Sequence, residues 1–419
     1  MGGLNSTPVY QARLGIVLSV LLLIAACDPT NSTIKVGVLH SLTGTMAESE
    51  KPVAMATMMA IDEINRDGGL LGRQIEPILY DGQSDDKQFF RLAKTLIQED
   101  NASTVFGCWT SSCRKTIKPL FEGSGRLLVY PVQFEGVEAS PNILYTGSTA
   151  AQQVMPALAW GLKNIGPRVM LVGSDYVFPR IANVIASNQV TMLGGEVVDE
   201  VYFLLGDERL QGLLARVQAA KPDFIFSTLN GSSNREFYRL LASSNEQTAV
   251  IATSISESDL NIRHINFPVY VANSYFQSLP RVENRDFITR FKAFAGENMI
   301  VSAAVEAAYT GVYLWAHAVR LSNSFHTNDV IHNLTSLSVD GPADRLVVAI
   351  DTNHVWRKFY LAKLDNLAGF SVIYTDLEYI PPTPYPVFFS KRKWHQYLDD
   401  LYIQWGEKWQ AVAMVADTK

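Results

Sequence analysis

Short, β-branched apolar runs alternate with longer amphipathic stretches along this chain from residue 33 onward. The first four apolar runs cover residues 34–39, 75–80, 104–106 and 127–129. Helical patterns lie between them, for example over residues 53–65 and 86–98. Alternation of this kind predicts βα units that build a parallel sheet. The same rhythm restarts after Tyr145, so we expect a second lobe of similar construction.

The predicted fold class is therefore α/β, with two Rossmann-like lobes joined by a multi-strand hinge. Residues 281–337 are mostly helical in pattern, and antiparallel closing strands are expected at residues 345–350, 357–364 and 370–375. We place the crossings between lobes near residues 146–150, 272–276 and 338–342. The expected boundaries are residues 33–148 plus 274–340 for the N-terminal lobe and residues 149–273 plus 341–386 for the C-terminal lobe.

The last segment, residues 387–419, carries six large apolar side chains on a helical spacing. They are Trp394, Tyr397, Leu401, Tyr402, Trp405 and Trp409. So many apolar positions in one short run predict a C-terminal tail that packs against the body. A helix that docks on a partner is the alternative.

The beginning of the chain has the composition of an export signal. Arg13 precedes an apolar run over residues 14–26, which has the length of a signal-peptide core and is short for a membrane span. The run ends at Cys27 after small residues and resembles a bacterial lipobox, so residues 1–26 are a predicted lipoprotein signal peptide. Cys27 is then the lipidated residue, and residues 27–32 are the tether. This predicts a protein on the periplasmic side of the bacterial cell envelope, anchored to the membrane by lipid; a conventional signal with a coincidental cysteine is the alternative.

Length and charge narrow the class of protein. The chain has 419 residues, of which 47% are hydrophobic and 18% charged, and this suits two soluble domains. A formal net charge of -6, with no basic stripe among aromatic residues, argues against nucleic-acid binding.

Known catalytic patterns are missing from the sequence. It contains no G-x-S-x-G or H-E-x-x-H pattern and no phosphate-binding loop, and its seven histidines are scattered. We therefore expect no enzyme activity, no catalytic residues, no metal and no cofactor.

Two segments that follow apolar strands carry the candidate chemistry, GCWTSSCRK from Gly107 and YPVQFEG from Tyr130. Ligands bind at the carboxyl ends of strands in open parallel sheets. Similar polar strand ends occur at Thr228, Asn230 and Ser254.

Several side chains at these strand ends suit a planar, neutral ligand rich in hydrogen-bonding groups. Aromatic faces come from Trp109, Tyr130, Tyr176 and Tyr275. Donors and acceptors come from Thr110, Ser111, Gln133, Thr228, Asn230 and Ser254. Asp175, together with Glu257, offers a place for an ammonium group, but no arginine stands among these residues to hold a carboxylate. A neutral amide is therefore favoured over an amino acid.

Each of these assignments has a structural alternative. Trp109 and Tyr130 are also suited to a core between the lobes, and Asn230 with Gly231 to a simple turn. We expect Cys108 and Cys113 to form a reduced pair, since a disulfide requires their Cβ atoms to approach to about 4 Å. Glu135 and Glu138 suggest paired carboxylates for hydrolysis, but a solvated or hinge role is favoured for them, and Arg114 and Lys115 are expected on a solvated helix face.

Seven segments, taken in order, resemble the type I periplasmic binding proteins, in the branch of urea-transporter binding lipoproteins and short-chain amide sensors. They are LHSLTGTMAESE from Leu39, GGLLGRQIEP from Gly68, GCWTSSCRK, YPVQFEGVEASPNILYTG, GSDYVFPR from Gly173, STLNGSSN from Ser227 and SYFQSL from Ser274. The resemblance runs from about Thr33 to about Pro386, and Trp109 and Gln133 favour the urea binders. Phe134 and Phe178 differ from the family pattern, because tyrosines are common at these two positions in the group.

The resemblance implies a receptor that captures urea or a short-chain amide and delivers it to an ABC permease with its ATPase subunit. A sensor that reports the same ligands to a regulator or kinase is the first alternative. A binding protein for branched-chain or other amino acids is the second.

Overall fold

The computed structural model describes residues 1–2, 33–244, 246–256, 265–365 and 369–412. The predicted signal peptide and tether, Cys27 included, and Glu257 lie outside the described residues. Two lobes, each built on its own sheet, make up the described body. The predicted α/β fold of two lobes is confirmed.

The first lobe is built on a five-stranded parallel sheet. Its strands are β1 (Ile34–His40), β2 (Ile75–Asp81), β3 (Thr104–Gly107), β4 (Leu127–Tyr130) and β5 (Ile143–Tyr145), in the order β2-β1-β3-β4-β5. The helices between the strands are α1 (Ala47–Arg66), α2 (Asp86–Gln98) and α3 (Ser111–Ser124). Because all five strands are parallel, the segments after β1, β3 and β4 meet at one edge.

Helix α2 illustrates how local sequence sets these elements. The Asp85 side chain accepts a hydrogen bond from the Gln88 amide over 2.8 Å and so caps the helix. Buried residues then recur every three or four positions: Phe89, Leu92, Ala93, Leu96 and Ile97. Capping and spacing agree, and the predicted range 86–98 is the observed one.

The second lobe begins with parallel strands β6 (Arg168–Ser174), β7 (Glu196–Phe203), β8 (Phe224–Thr228), β9 (Ala249–Ala252) and β10 (Val269–Asn273). Its helices are α4 (Ala150–Asn164), α5 (Val177–Met192), α6 (Leu213–Ala220) and α7 (Ser233–Ser243). Helix α5 starts at Val177, so Pro179 lies within its first turn. Proline in the first turn is compatible with a helix, since its missing N–H has no partner there.

After β10 the chain forms helices α8 (Val282–Ala295), α9 (Ala303–Ser322) and α10 (Thr327–Leu334). Helix α9 packs on α1 and on β4, so this part returns to the first lobe. Strands β14 (Tyr360–Asp365) and β15 (Gly369–Thr375) then join the second sheet, where β14 pairs antiparallel with β10 and β15 pairs antiparallel with β14. The second sheet has the order β15-β14-β10-β9-β8-β6-β7. The residue boundaries of the lobes stay a prediction.

One of the expected closing strands lies elsewhere. Residues 345–348 form β12, which pairs with β11 (Ser338–Asp340) and β13 (Val355–Trp356) in a separate three-stranded antiparallel sheet. Its apolar pattern predicted a strand correctly, but pairing partners are set by tertiary contacts that such a pattern does not encode.

The C-terminal tail forms helix α11 (Lys391–Gln404) against the second lobe. Trp394 is fully buried, and its indole N–H donates to the Pro386 carbonyl oxygen over 2.9 Å. Trp394 and Trp405 belong to the same hydrophobic cluster as Val177. In the described residues, none of the helices is long and apolar enough to cross a membrane.

Candidate functional site

The turn from β3 into α3 fixes the first group of predicted site residues. A Cβ atom on Gly107 would collide with the Leu39 carbonyl oxygen, so the strand end requires glycine. Cys108 follows with a φ of 64°, and Thr110 caps α3 by accepting a hydrogen bond from the Cys113 amide over 3.0 Å. Trp109 and Thr110 are thereby held at the strand end, and both are partly exposed.

Cys108 and Cys113 form a disulfide, which corrects the expectation of a reduced pair. Their Cα atoms lie 5.8 Å apart, within the usual range for a disulfide. Sequence spacing alone did not indicate the left-handed backbone at Cys108, which is part of the turn that carries the two cysteines.

Four charged residues behind this turn form a buried ion cluster, which corrects the expectation that they are solvated. Arg114 donates to Glu135 and to Glu138, each over 2.9 Å, and Lys115 donates to Glu138 over 3.0 Å. Arg114 and Glu135 are fully buried, and the two positive charges balance the two negative ones. Burial alone would raise the pKa of Glu138, but Lys115 and Arg114 overcome this effect and hold that pKa well below its usual range.

The ion cluster also positions two predicted site residues. Ser111 donates to Glu135 over 2.5 Å and accepts a hydrogen bond from Arg114 over 3.0 Å. The Arg114 guanidinium lies 4.8 Å from the centre of the Tyr130 ring. The Tyr130 hydroxyl donates to the Trp109 carbonyl oxygen over 2.6 Å, so it contributes to the turn rather than standing free.

In the second lobe, the predicted residues lie at the ends of β6, β8 and β9. Asp175 pairs with Arg180 over 2.8 Å, which weakens its suitability for a ligand ammonium group. Tyr176 is buried at the start of α5, and this burial raises the pKa of its hydroxyl well above the usual value.

The remaining polar groups of this lobe are largely engaged with each other. The buried Thr228 hydroxyl donates to the Asn183 side-chain oxygen over 3.1 Å. Asn230 is 3% exposed, and its backbone amide donates to the Ser174 hydroxyl over 3.0 Å. Ser254 is partly exposed. As a ligand contact, each of these residues stays a prediction.

Gln133 reaches from the first lobe to the second. Its side-chain amide donates to the Thr253 carbonyl oxygen over 3.4 Å, a long hydrogen bond that a ligand can replace. Tyr275 stands apart, because its hydroxyl donates to the Asn284 side chain over 2.6 Å inside the body. The structure thus joins Tyr130 to Trp109 within the first lobe and links Gln133 to Thr253 of the second lobe.

A cavity of about 160 Å³ lies between the lobes beside Thr110. Its lining residues are Thr45, Met46, Glu50, Ser84, Asp86, Phe89, Thr110, Leu205, Gln410 and Ala411. Most of them were missed from the sequence. Glu50 and Asp86 look like ordinary acidic residues of a first helical turn, and no local pattern shows that they face a cavity.

The two carboxylates of the cavity are in different environments. Glu50 is buried and accepts hydrogen bonds from His40 Nδ1 over 3.1 Å and from the Ser41 amide over 2.9 Å. Burial raises the pKa of Asp86 to about 6, although the Ser112 hydroxyl donates to that carboxylate. Among the described residues, no group of three or more His, Cys, Asp or Glu side chains is arranged to hold a metal ion.

The chain belongs to the periplasmic binding protein domain family, whose profile matches residues 34–391. It is 31% identical over 99 residues to a leucine-, isoleucine-, valine-, threonine- and alanine-binding protein of Pseudomonas aeruginosa, over 24% of this chain and 26% of that one. It is 25% identical over 202 residues to a Leu/Ile/Val-binding protein of Rhizobium johnstonii, over 47% of this chain and 54% of that one. The matches therefore span about a quarter and about half of these two relatives.

Solved structures are similar over much more of the chain. A solute-binding protein of an ABC transporter from Rhodopseudomonas palustris BisB5, in complex with 3,4-dihydroxybenzoic acid, has a TM-score of 0.75 and 21% identity. The match covers 84% of this chain and 98% of that one. At this identity the likeness supports the fold alone. A 116-residue match, 26% identical, to a limonene hydroxylase of Geobacillus stearothermophilus covers 27% of this chain and 21% of that protein.

Proposed function

We propose that this protein is an extracytoplasmic receptor that captures urea or a short-chain amide between its lobes and delivers it to an ABC permease. The cavity between the lobes carries the proposal. Its volume of about 160 Å³ is well below the roughly 300 to 1,000 Å³ usual for drug-sized ligands, so it favours a very small one.

The chemistry of the lining favours an uncharged ligand that donates several hydrogen bonds. Glu50 and Asp86 are acceptors for N–H groups, and the hydroxyls of Thr45, Ser84 and Thr110 can donate to a carbonyl oxygen. No lining residue is Lys or Arg, so a ligand carboxylate would meet two acidic side chains without a balancing charge.

A binding protein for an amino acid is the second candidate, because the two relatives from Pseudomonas and Rhizobium are named for branched-chain amino acids. The pairing of Asp175 with Arg180 argues against it, since the ammonium group of such a ligand would have to compete for that carboxylate.

Calorimetry of the form that begins at residue 28 separates these candidates, since it retains both lobes. Urea, acetamide, leucine and 3,4-dihydroxybenzoate are titrated in turn. We expect heat of binding with urea or acetamide and none with the two acids. Binding of leucine without a response to either amide would overturn the proposal.

Transport and tethering need their own tests. We propose Cys27 as the lipid-anchored residue and the permease and its ATPase as separate subunits. Cys27→Ser should release the protein from the membrane fraction into the soluble periplasmic fraction. Loss of ligand uptake by cells lacking this protein would support delivery to a transporter, whereas normal uptake with a lost transcriptional response would favour a sensor.

A further inference from the structure

The residues after helix α11 lie along the edge of the cavity between the lobes. The Val177 amide donates to the Trp409 carbonyl oxygen over 3.0 Å, and the Ala411 amide donates to the Asp175 carbonyl oxygen over 2.9 Å. Gln410 is thereby placed opposite Tyr176 in an antiparallel bridge. These backbone bonds attach the segment to the second lobe at the predicted site residues.

The other side of the same segment faces the first lobe. The Lys115 ammonium group lies 5.2 Å from the centre of the Trp409 ring. Gln410 and Ala411 line the cavity together with Glu50, Asp86 and Thr110 of the first lobe, although no direct hydrogen bond joins them to those residues in the described part of the chain. The segment is thus bonded to one lobe and only in contact with the other.

Gln410 has the chemistry of a ligand contact. It is partly buried and lines the cavity, and within the described residues its side-chain amide forms no hydrogen bond. An amide in such a position can both donate to and accept from a small polar ligand.

We propose that residues 408–412, the C-terminal strap, form part of the ligand site. The strap moves with the second lobe and covers the cavity when the lobes close, and Gln410 contacts the ligand. The choice of ligands for the binding test rests on the proposed function, whereas the closure of the strap over the cavity does not. It makes the strap a third component of the site beside the two lobes.

Closure is tested without any ligand. Ser84, which lines the cavity, is replaced by cysteine in the form that begins at residue 28, and its labelling by methyl methanethiosulfonate is timed. One truncation ends at Glu407 and removes the strap. The matched control ends at Val412 and keeps it. We expect the first truncation to speed labelling about tenfold, the equivalent of 1.4 kcal/mol of protection, and the second to leave it unchanged.

Equal labelling in the two truncations, with unchanged circular dichroism, would overturn the strap as a cover. If the shorter chain fails to fold, the full-length form with Trp409→Gly takes the place of the first truncation. This substitution removes the ring contacts with Lys115 and Tyr402.

The ligand contact is tested with Gln410→Ala, which leaves the backbone pairing intact, and with Ile403→Ala as its control, because Ile403 is 71% exposed and lies in helix α11 outside the strap. Dissociation constants are measured for urea, acetamide, leucine and 3,4-dihydroxybenzoate. Whichever compound binds the native protein should bind Gln410→Ala about three- to tenfold more weakly, the loss of one neutral hydrogen bond. An unchanged dissociation constant in Gln410→Ala would remove Gln410 from the site. Binding of leucine alone would refute the amide proposal, but it would not affect the conclusion that the labelling experiment gives about closure.

Discussion

Arg114 and Glu138 form a buried ion pair, with Arg114 Nε donating to Glu138 Oε1 over 2.9 Å. The pair joins the first turn of α3 to the loop after β4, and Arg114 contacts both Ser111 and Tyr130. Ser111 and Tyr130 of the proposed ligand site are therefore held in place by buried charges.

Removing one partner of this cluster should be costly. Arg114→Met leaves Glu135 and Glu138 buried with only Lys115 to balance them, and we expect a loss of about 3 to 5 kcal/mol in the free energy of unfolding. Chemical denaturation followed by circular dichroism measures it.

The control for that experiment is Arg66→Met, since Arg66 pairs with Asp62 on the surface and its side chain is 69% exposed. Its expected cost is below about 1 kcal/mol. Equal costs at the two positions would mean that the buried cluster contributes no more than a surface pair.

The disulfide gives a second prediction. With Cys27 removed, only Cys108 and Cys113 remain, and a thiol assay on the unfolded, unreduced protein should find no free thiol. Cys113→Ser should lower the free energy of unfolding by about 2 kcal/mol, because closing a short loop restricts the unfolded chain. Native protein treated with reductant should lose the same amount; a larger loss in the variant alone would point to packing rather than to the bond.

The sequence was informative where local chemistry decides the outcome. Helix α2 has its cap and its apolar spacing within one short segment, so its range was predictable. Trp109 and Tyr130 follow β3 and β4, which are neighbours in a parallel sheet, and a hydrogen bond joins them, whereas the placement of Gln133 in a ligand site stays a prediction.

It was uninformative where distant segments decide. Arg114 and Glu138 are 24 positions apart, and the sequence alone does not show whether a charged residue is solvated or buried in an ion pair. The pairing of Ala411 with Asp175 joins segments more than two hundred residues apart, and the strap has no pattern that marks it as a strand. The cavity lining comes from segments far apart in the sequence, so most of its residues were not predicted.

Gln133 gives a prediction about the ligand. Gln133→Leu preserves the size of the side chain but removes its amide, which now reaches Thr253 over 3.4 Å. We expect the affinity for urea or acetamide to fall about three- to tenfold while thermal stability changes little. Calorimetry measures the affinity, and thermal unfolding measures the stability.

Gln153→Leu is the contrasting variant. Gln153 is buried, and its side-chain amide donates over 2.9 Å to the Thr253 carbonyl oxygen and over 2.7 Å to that of Ala272, so its loss should reduce stability. Unchanged affinity in Gln133→Leu would remove that residue from the site.

His354 makes the stability of the protein sensitive to acid. Its ring is fully buried and stacks on Tyr145 at 4.1 Å between ring centres, and burial lowers the pKa of His354 to about 3. An unfolded histidine has a pKa near 6.5, so between these values the unfolded chain binds a proton that the folded one does not. Stability is therefore lost as the pH falls, by about 2 kcal/mol from this residue between pH 7 and pH 5.

His354→Phe keeps an aromatic ring in the stack but removes the titrating group. The free energy of unfolding in denaturant should therefore fall by about 2 kcal/mol less between pH 7 and pH 5 in this variant than in the native protein. His326→Phe is the control, since His326 directly precedes helix α10 and is exposed. An equal pH dependence in native protein and His354→Phe would show that the buried ring does not control acid stability.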